Sequence, residues 1–258
     1  MNRLFRGDCR EVLPTLAPGS AQLVVTSPPY NVGFDYADGG AGDRLPLAEY
    51  QAMLAEVLTC LYQVLRPGGV LAVNVPPTIR AEGARAWPLA AWLQLQMQAC
   101  GFLLREPAVW VKGKDGEAFT PGVAVGAASN PFLRPACELW LLASKDDYRI
   151  PGKNPRAWSV AEDGDRYLDW LKDVWFAPPG KARRGDPLAF PERVVRFLVR
   201  AYSCPGDVVV DPFAGNGTTG RVAIAEGRAA WLIERQPAYW PRLEAVVGQS
   251  ALVADQVA

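Results

Sequence analysis

Two short segments of this chain combine residue types and spacings suited to chemistry. The first is Thr26-Ser27-Pro28-Pro29-Tyr30-Asn31, directly after the apolar run Leu23-Val24-Val25. Its two prolines fix the backbone and remove two N–H donors. What remains is acceptor-rich, from carbonyl oxygens and the Ser27 hydroxyl, beside the aromatic face of Tyr30. That suits an exocyclic amino group, which donates two hydrogens, on a planar base stacked on Tyr30. The plainer alternative is a proline-stiffened loop whose Tyr30 fills a gap. The second segment runs Asp211-Pro212-Phe213-Ala214-Gly215-Asn216-Gly217-Thr218-Thr219-Gly220, after Val208-Val209-Val210. Gly215, Gly217 and Gly220 fit G-x-G-x-x-G between a strand and a helix, where backbone can approach a bound nucleotide. Glu234 ends the next apolar run, 19 residues beyond Gly215, where a carboxylate can take both ribose hydroxyls. Read structurally, such a turn only caps a tight connection.

The elements that must position these segments follow from periodicity. Leu23 to Thr26, Val70 to Val75, Ala108 to Val111, Glu138 to Ala143, Val208 to Asp211 and Ala229 to Ile233 read as strands. Tyr50, Met53, Leu54, Val57, Leu58, Leu61 and Leu65 recur at three- and four-residue steps, predicting a helix from 47 to 65 that Pro67-Gly68-Gly69 ends. Further helices are predicted over 88–99 and from Pro191, with an apolar face of Val194, Val195, Phe197, Leu198 and Tyr202. Strands alternating with helices indicate an α/β fold with a largely parallel sheet. From Lys112 to Pro135, and from Ser144 to Ala189, periodicity fades and Gly, Pro and charged residues collect, which reads as insertions on the sheet.

Composition bounds the chemistry. The chain has 258 residues, half of them hydrophobic, and 27 Lys plus Arg balance 27 Asp plus Glu. A core is available, and no global basic field advertises nucleic acid, although local patches count for more. No histidine is present, which removes His triads, His metal ligands and the commonest general base. The five cysteines, Cys9, Cys60, Cys100, Cys137 and Cys204, form no C-x-x-C pair, so neither a disulfide framework nor a metal site is expected. No apolar run reaches the ~20 residues of a membrane helix, and the start carries no signal-peptide segment. A cytoplasmic protein without a membrane partner is expected. The glycine-rich turn alone does not separate NAD from S-adenosylmethionine.

Together these residues resemble the amino-group DNA methyltransferases that use S-adenosylmethionine. In that resemblance Ser27-Pro28-Pro29-Tyr30 is the catalytic loop and Asp211 to Gly217 the cofactor turn, with Thr218, Thr219 and Glu234 completing the cofactor site. The catalytic loop comes first, as in the permuted β-type subgroup. Gly7-Asp8-Cys9 resembles the family's early acidic element, placing Asp8 and Cys9 near the cofactor adenine. Trp110-Val111-Lys112 and Glu138 to Lys145 resemble the strands that join the catalytic half to the target-reading region. Phe190-Pro191-Glu192-Arg193 through Asp207 resembles the helix and turn that hold the methionine end, with Pro191 at the cofactor. The likeness covers most of the chain. It departs where relatives often carry His: Gly185-Asp186-Pro187 and Cys137-Glu138 stand there instead.

The resemblance implies a Rossmann-like S-adenosylmethionine-dependent methyltransferase sheet, circularly permuted, with short target-recognition insertions. One domain is expected over 1–258: a catalytic half (1–111), a mixed core-strand and target-reading region (112–189), and a cofactor half (190–258). The Ser27 hydroxyl and the Pro28 carbonyl would accept the amine hydrogens, Tyr30 would stack on the flipped base, and Phe213 would pack on the cofactor. In-line attack on the sulfonium methyl follows, and the extra proton leaves afterwards, to water. Ser at the first loop position favours cytosine N4 over adenine N6 as target. A cytosine-C5 enzyme is disfavoured, because Cys204 is followed rather than preceded by proline.

Double-stranded DNA is the implied partner, and Lys112, Lys114, Lys153, Arg156, Lys181, Arg183 and Arg184 are the candidate phosphate contacts. Residues 33–42, rich in glycine, read either as a flap beside the site or as a surface loop. A homodimer and a separately acting cognate restriction endonuclease are both left open. Two rivals stand beside this reading. An NAD-dependent oxidoreductase would use the glycine turn and Glu234 but leave Ser27 to Tyr30 without a task. A catalytically silent DNA-binding module would bind duplex without transferring a methyl group.

Overall fold

A computed structural model of the chain describes residues 1–34, 43–80, 86–112, 136–149, 171–179 and 190–248. Strands β1 (Arg3–Arg6), β2 (Ala21–Thr26) and β3 (Leu65–Val75) are separated by helices α1 (Cys9–Val12) and α2 (Leu47–Val64). A two-stranded ribbon, β4 (Ile79–Arg80) with β5 (Ala86–Trp87), precedes α3 (Leu89–Ala99). Then come β6 (Phe102–Leu104), β7 (Ala108–Lys112), β8 (Cys137–Lys145) and β9 (Val174–Ala177). The last part alternates α4 (Glu192–Tyr202), β10 (Val208–Asp211), α5 (Thr218–Ala225), β11 (Ala229–Glu234) and α6 (Trp240–Gly248).

Among the described residues, nine strands form one sheet in the order β1-β11-β10-β2-β3-β8-β7-β9, with β6 also on β8. From β1 through β3 all neighbours are parallel, while β8 runs antiparallel to β3, β6 and β7. Successive strand residues bury on opposite faces. Val24, Leu71, Val73, Val210 and Ile233 join the layer packed by α2 and α3. Leu23, Val25, Val70, Ala72, Val209, Ala230 and Leu232 join the layer packed by α4, α5 and α6. Strands covered on both faces read as continuous apolar runs, which is why β2, β10 and β11 stand out in the sequence.

Three differences from the expected elements have local causes. Helix α2 stops at Val64, and Arg66-Pro67-Gly68-Gly69 lies inside β3 as an irregularity of the ladder. There Ala21 pairs with Leu65 but Leu23 with Val70, so β3 carries the surplus residues. Gln22 supports the excursion by donating to the Gly68 carbonyl at 3.3 Å, and Arg66 bonds back to Gln22. The stretch from Ser144 to Ala189 is not all insertion, since β9 lies in it and pairs in parallel with β7. Arg3–Arg6, with two apolar residues between arginines, forms β1 and pairs with β11 from Arg3↔Trp231 to Arg6↔Glu234. Among the described residues no helix is long and apolar enough to cross a membrane.

Candidate active site

From β2 the chain crosses to β3 on one side, whereas from β10 it crosses to β11 on the other. A crevice therefore opens between the carboxyl ends of β2 and β10, the switch point at which open parallel sheets bind ligands. A cavity of about 630 Å³ lies there. Its walls come from the segments after four parallel strands: Asp8 after β1, Ser27–Tyr30 after β2, Pro212–Asn216 after β10 and Arg235–Gln236 after β11. Both sequence-predicted segments thus face one space, although roughly 180 residues separate them, as the Thr26–Asp211 hydrogen bond already requires.

The loop after β2 is held at several points. Ser27 Oγ lies 2.9 Å from Tyr30 Oη and 3.2 Å from the Asn74 carbonyl oxygen. Tyr50 donates from its hydroxyl to the Pro29 carbonyl at 2.7 Å. Asn31, with φ 59°, locks to Leu45 through both side-chain atoms. The carboxylate of buried Asp43 accepts from the amides of Asn31, Val32 and Phe34 at 2.7, 3.1 and 2.7 Å. Burial pushes the Asp43 carboxyl up, against the opposing pull of those amides. Residues 31–34 and 43–45 are thereby clamped as one neck, and 35–42 lie outside the described residues.

The glycine turn is equally determined. Gly215 and Gly217 sit at φ 47° and 73°, in the left-handed region that only glycine enters freely. A Cβ on Gly217 would stand 2.8 Å from a Leu243 methyl, and one on Gly220 2.6 Å from a Leu232 methyl. These two glycines and Thr219, which donates to the Val25 carbonyl at 3.1 Å, serve packing rather than the cavity wall. Glu234 receives the Gly215 amide on Oε2 and the Gln236 amide on Oε1, each at 2.8 Å. Its remaining lone pairs are available to a ligand, and burial raises its carboxyl above the usual range. Asp211 accepts from the Thr26 hydroxyl at 2.7 Å and the Phe213 amide at 3.1 Å. Burial, aided by the nearby charge of Glu234, still pushes it up to about 6.

At the far wall Asp8 caps α1 and meets Arg10 through two guanidinium nitrogens, at 3.0 and 2.8 Å. The Arg10 hydrogen bond holds the Asp8 carboxyl below its ordinary value. Cys9 lines the cavity, but burial pushes its thiol up to about 12, so it packs as a neutral group. Pro191 is the buried N-cap residue of α4 and does not reach the cavity; its neighbour Phe190 does.

Lys112, a candidate phosphate contact, has its ammonium 2.5 Å from Glu138 Oε1, with both side chains about a tenth exposed. Lys114, Lys153, Arg156, Lys181, Arg183 and Arg184 lie outside the described residues. Arg10, Asp43, Asn74 and Tyr50 are additions whose place at the site periodicity could not reveal, because each reaches it from a separate helix, loop or strand. Among the described residues no group of His, Cys, Asp or Glu is placed to hold a metal ion.

Comparison with known proteins agrees with this geometry. A family model described as DNA methylase, N6_N4_Mtase, matches residues 21–244. The type II methyltransferase M.BglII of Bacillus subtilis is 29% identical over 234 residues, 86% of this chain, and the chain spans only 62% of that relative's length. M.BglI, also of Bacillus subtilis, is 26% identical, with 92% of this chain and 83% of the relative covered. Among solved structures, TTHA0409 of Thermus thermophilus, described as a candidate DNA modification methylase and crystallised with S-adenosyl-L-methionine, superposes with a TM-score of 0.70. It is 31% identical, covering 97% of this chain and 94% of that one. The cytosine-N4-specific PvuII DNA methyltransferase shares the fold, with a TM-score of 0.70 at 19% identity over 95% of this chain and 86% of its own. With its model spanning both the loop after β2 and the glycine turn, the chain belongs to the N6/N4 DNA methylase family.

Proposed function

We propose that this protein transfers a methyl group from S-adenosylmethionine to an exocyclic amine of a flipped base in double-stranded DNA, cytosine N4 being the favoured target. The observation that carries the reading is the convergence of Ser27–Tyr30 and Asp211–Asn216 on one cavity. The residues present fit the cofactor. A volume of about 630 Å³ falls within the ~300–1,000 Å³ of small-molecule sites. Glu234 is fixed with lone pairs to spare for ribose hydroxyls, and the carboxylates Asp8, Asp211 and Glu234 give the wall a charge that suits a cationic ligand. When bound, the cofactor supplies an electrophilic methyl on a positively charged sulfur.

The chain's own residues perform the rest. Tyr30 offers its ring as a stacking surface, and the Ser27 hydroxyl with the Pro28 carbonyl accepts the two amine hydrogens, drawing the nitrogen towards sp³. Catalysis comes from alignment and from acceptors placed where positive charge develops, which requires no imidazole. Phe213 and Phe190 add aromatic surface to the cavity lining. Cytosine is favoured by Ser at the first loop position. A DNA modification role in the cytoplasm, as the methylating half of a restriction–modification pair, is consistent with relatives named type II methyltransferases. Single-domain organisation over 1–258 is part of the same proposal, as are DNA contacts by basic residues between 113 and 189.

The test is methyl transfer from labelled cofactor into mixed-sequence duplex, followed by nucleoside mass spectrometry. N4-methylcytosine is expected from the wild type, and Ser27→Ala and Tyr30→Ala should each lower the rate by roughly 10²–10³-fold. N6-methyladenine as the sole product would overturn the cytosine assignment. Cofactor binding without transfer to DNA would overturn the substrate.

A further inference from the structure

Glu138 stands at the start of β8. Because β8 runs antiparallel to β3, its beginning lies at the sheet edge where the parallel strands end. Glu138 is 7% exposed, lines the cavity, and has both carboxylate oxygens engaged. Oε1 takes the Lys112 ammonium, and Oε2 lies 3.3 Å from Tyr30 Oη. Tyr30 Oη in turn lies 2.9 Å from Ser27 Oγ. A continuous chain of polar atoms therefore joins the hydroxyl that faces the target to a buried carboxylate.

The hydroxyl protons can be assigned. The one proton of Tyr30 Oη has Ser27 Oγ, Asn74 Oδ1 at 3.4 Å and Glu138 Oε2 as oxygen neighbours among the described residues. An ionised carboxylate is the strongest acceptor of the three, so the phenol points to Glu138. Ser27 is then left to donate to Tyr30 Oη, nearer at 2.9 Å than the Asn74 carbonyl at 3.2 Å. In that orientation a lone pair of Ser27 Oγ remains for an incoming amine, and each bond in the row polarises the next.

We propose that Glu138 is the anionic end of a relay through Tyr30 and Ser27 that draws the proton from the target amine during methyl transfer. The inference rests on the functional reading above. The amine nitrogen forms the N–C bond with its lone pair as the S–C bond breaks, leaving that bond's pair on sulfur. One amine N–H bond then breaks and leaves its pair on nitrogen. That proton passes to Ser27 Oγ, the Ser27 proton to Tyr30 Oη, and the Tyr30 proton to Glu138, which later returns it to solvent. Within the relay Glu138 acts through Tyr30, which makes it a positioning residue. The relay also replaces bulk water as the destination of the proton.

The experiment compares Glu138→Gln, Tyr30→Phe and their double variant with the wild type. Phenylalanine keeps the stacking ring and removes only the relay hydroxyl. Each single variant should slow single-turnover methyl transfer roughly 10- to 100-fold, with the KM for DNA and the calorimetric affinity for S-adenosylmethionine within about threefold of wild type. The double variant should be no slower than the slower single one, since both cut the same path. In the protein alone, the infrared carboxylate band abolished by Glu138→Gln should shift in Tyr30→Phe. Single variants with near-wild-type rates, multiplicative losses in the double variant, or an unshifted band would each overturn the relay while leaving the functional reading intact. Wild-type protein that makes no methylated nucleoside would overturn that reading instead, and the relay with it.

Discussion

At the scale of single residues, Asp211 shows most plainly how binding chemistry competes with folding. Its carboxyl is buried, accepts from Thr26 and the Phe213 amide, and is still lifted to about 6. The folded chain therefore holds this proton more tightly than the unfolded chain does. The group's stabilisation is complete below the ordinary carboxylate range and is lost as pH rises to about 6. Above that, the ionised side chain is a net cost. Asp211→Asn keeps an oxygen for Thr26 and Phe213 and removes the charge. It should raise the melting temperature at pH 8, by an amount corresponding to roughly 1–3 kcal/mol, and the gain should vanish near pH 4. The same variant should weaken S-adenosylmethionine binding at pH 8, measured by calorimetry. A melting temperature unchanged at pH 8 would refute the desolvation argument. Ser27 and Tyr30 were legible in the sequence because they flank a proline pair after an apolar run, Asp211 because it closes an apolar run before Pro212, and Glu234 because it ends the next run 19 residues beyond Gly215. Glu138 as a partner of Tyr30 was not, since the two are 108 positions apart and the antiparallel pairing of β8 with β3 brings them together.

Two connections, one on each side of the crevice, govern the element scale. In the turn before α5, adding a methyl at Gly217 meets both a left-handed φ of 73° and a Leu243 methyl at 2.8 Å. Gly217→Ala should cost about 2–4 kcal/mol in urea unfolding, whereas Gly206→Ala, with nothing within 4 Å of the added carbon, should cost only its backbone strain. On the opposite side, Asp43 gathers three amides of the neck after the catalytic loop. Asp43→Ala strips them of their acceptor and should destabilise by roughly 1–3 kcal/mol. It should lower the methyl-transfer rate more than it lowers cofactor affinity, because the cofactor turn is built elsewhere. Equal losses in both would show that the neck supports the whole cavity. The two-sided burial of β2, β10 and β11 made those strands readable. β9 was hidden for the opposite reason: it is four residues long, pairs among the described strands with β7 alone, and leaves Val174 and Phe176 exposed among charged and glycine-rich neighbours. The β3 irregularity was hidden too, since Pro67-Gly68-Gly69 ordinarily marks a turn and only pairing with β2 makes it strand.

For the whole molecule, the parallel sheet fixes where the site lies but not the order in which its halves must be joined. β1 lies beside β11, Asn2 donates to the Val247 carbonyl at 3.5 Å, and Arg6 pairs with Glu244 on α6. A permutant that runs 190–248, a short flexible linker, then 1–189 should therefore fold and retain methyl transfer within about tenfold of the original. Loss of cooperative unfolding in that permutant would show that chain order contributes to the structure itself. The α/β class and both cavity-forming segments were readable from one sequence, because local runs and turn chemistry specify them. The strand order was not, since pairing across long separations leaves no local trace.

The hydrogen bond from Thr26 to Asp211 spans 185 positions, and that separation is also an interval of time. On the ribosome β2 emerges early, while its neighbour β10 is not yet made. At ~5–20 residues per second, one edge of the central strand waits on the order of 10–40 s for its partner. Throughout that interval Leu23-Val24-Val25 is an open template for any other extended chain. A nascent chain stalled before residue 208 should therefore bind chaperones or self-associate far more than one stalled after residue 234.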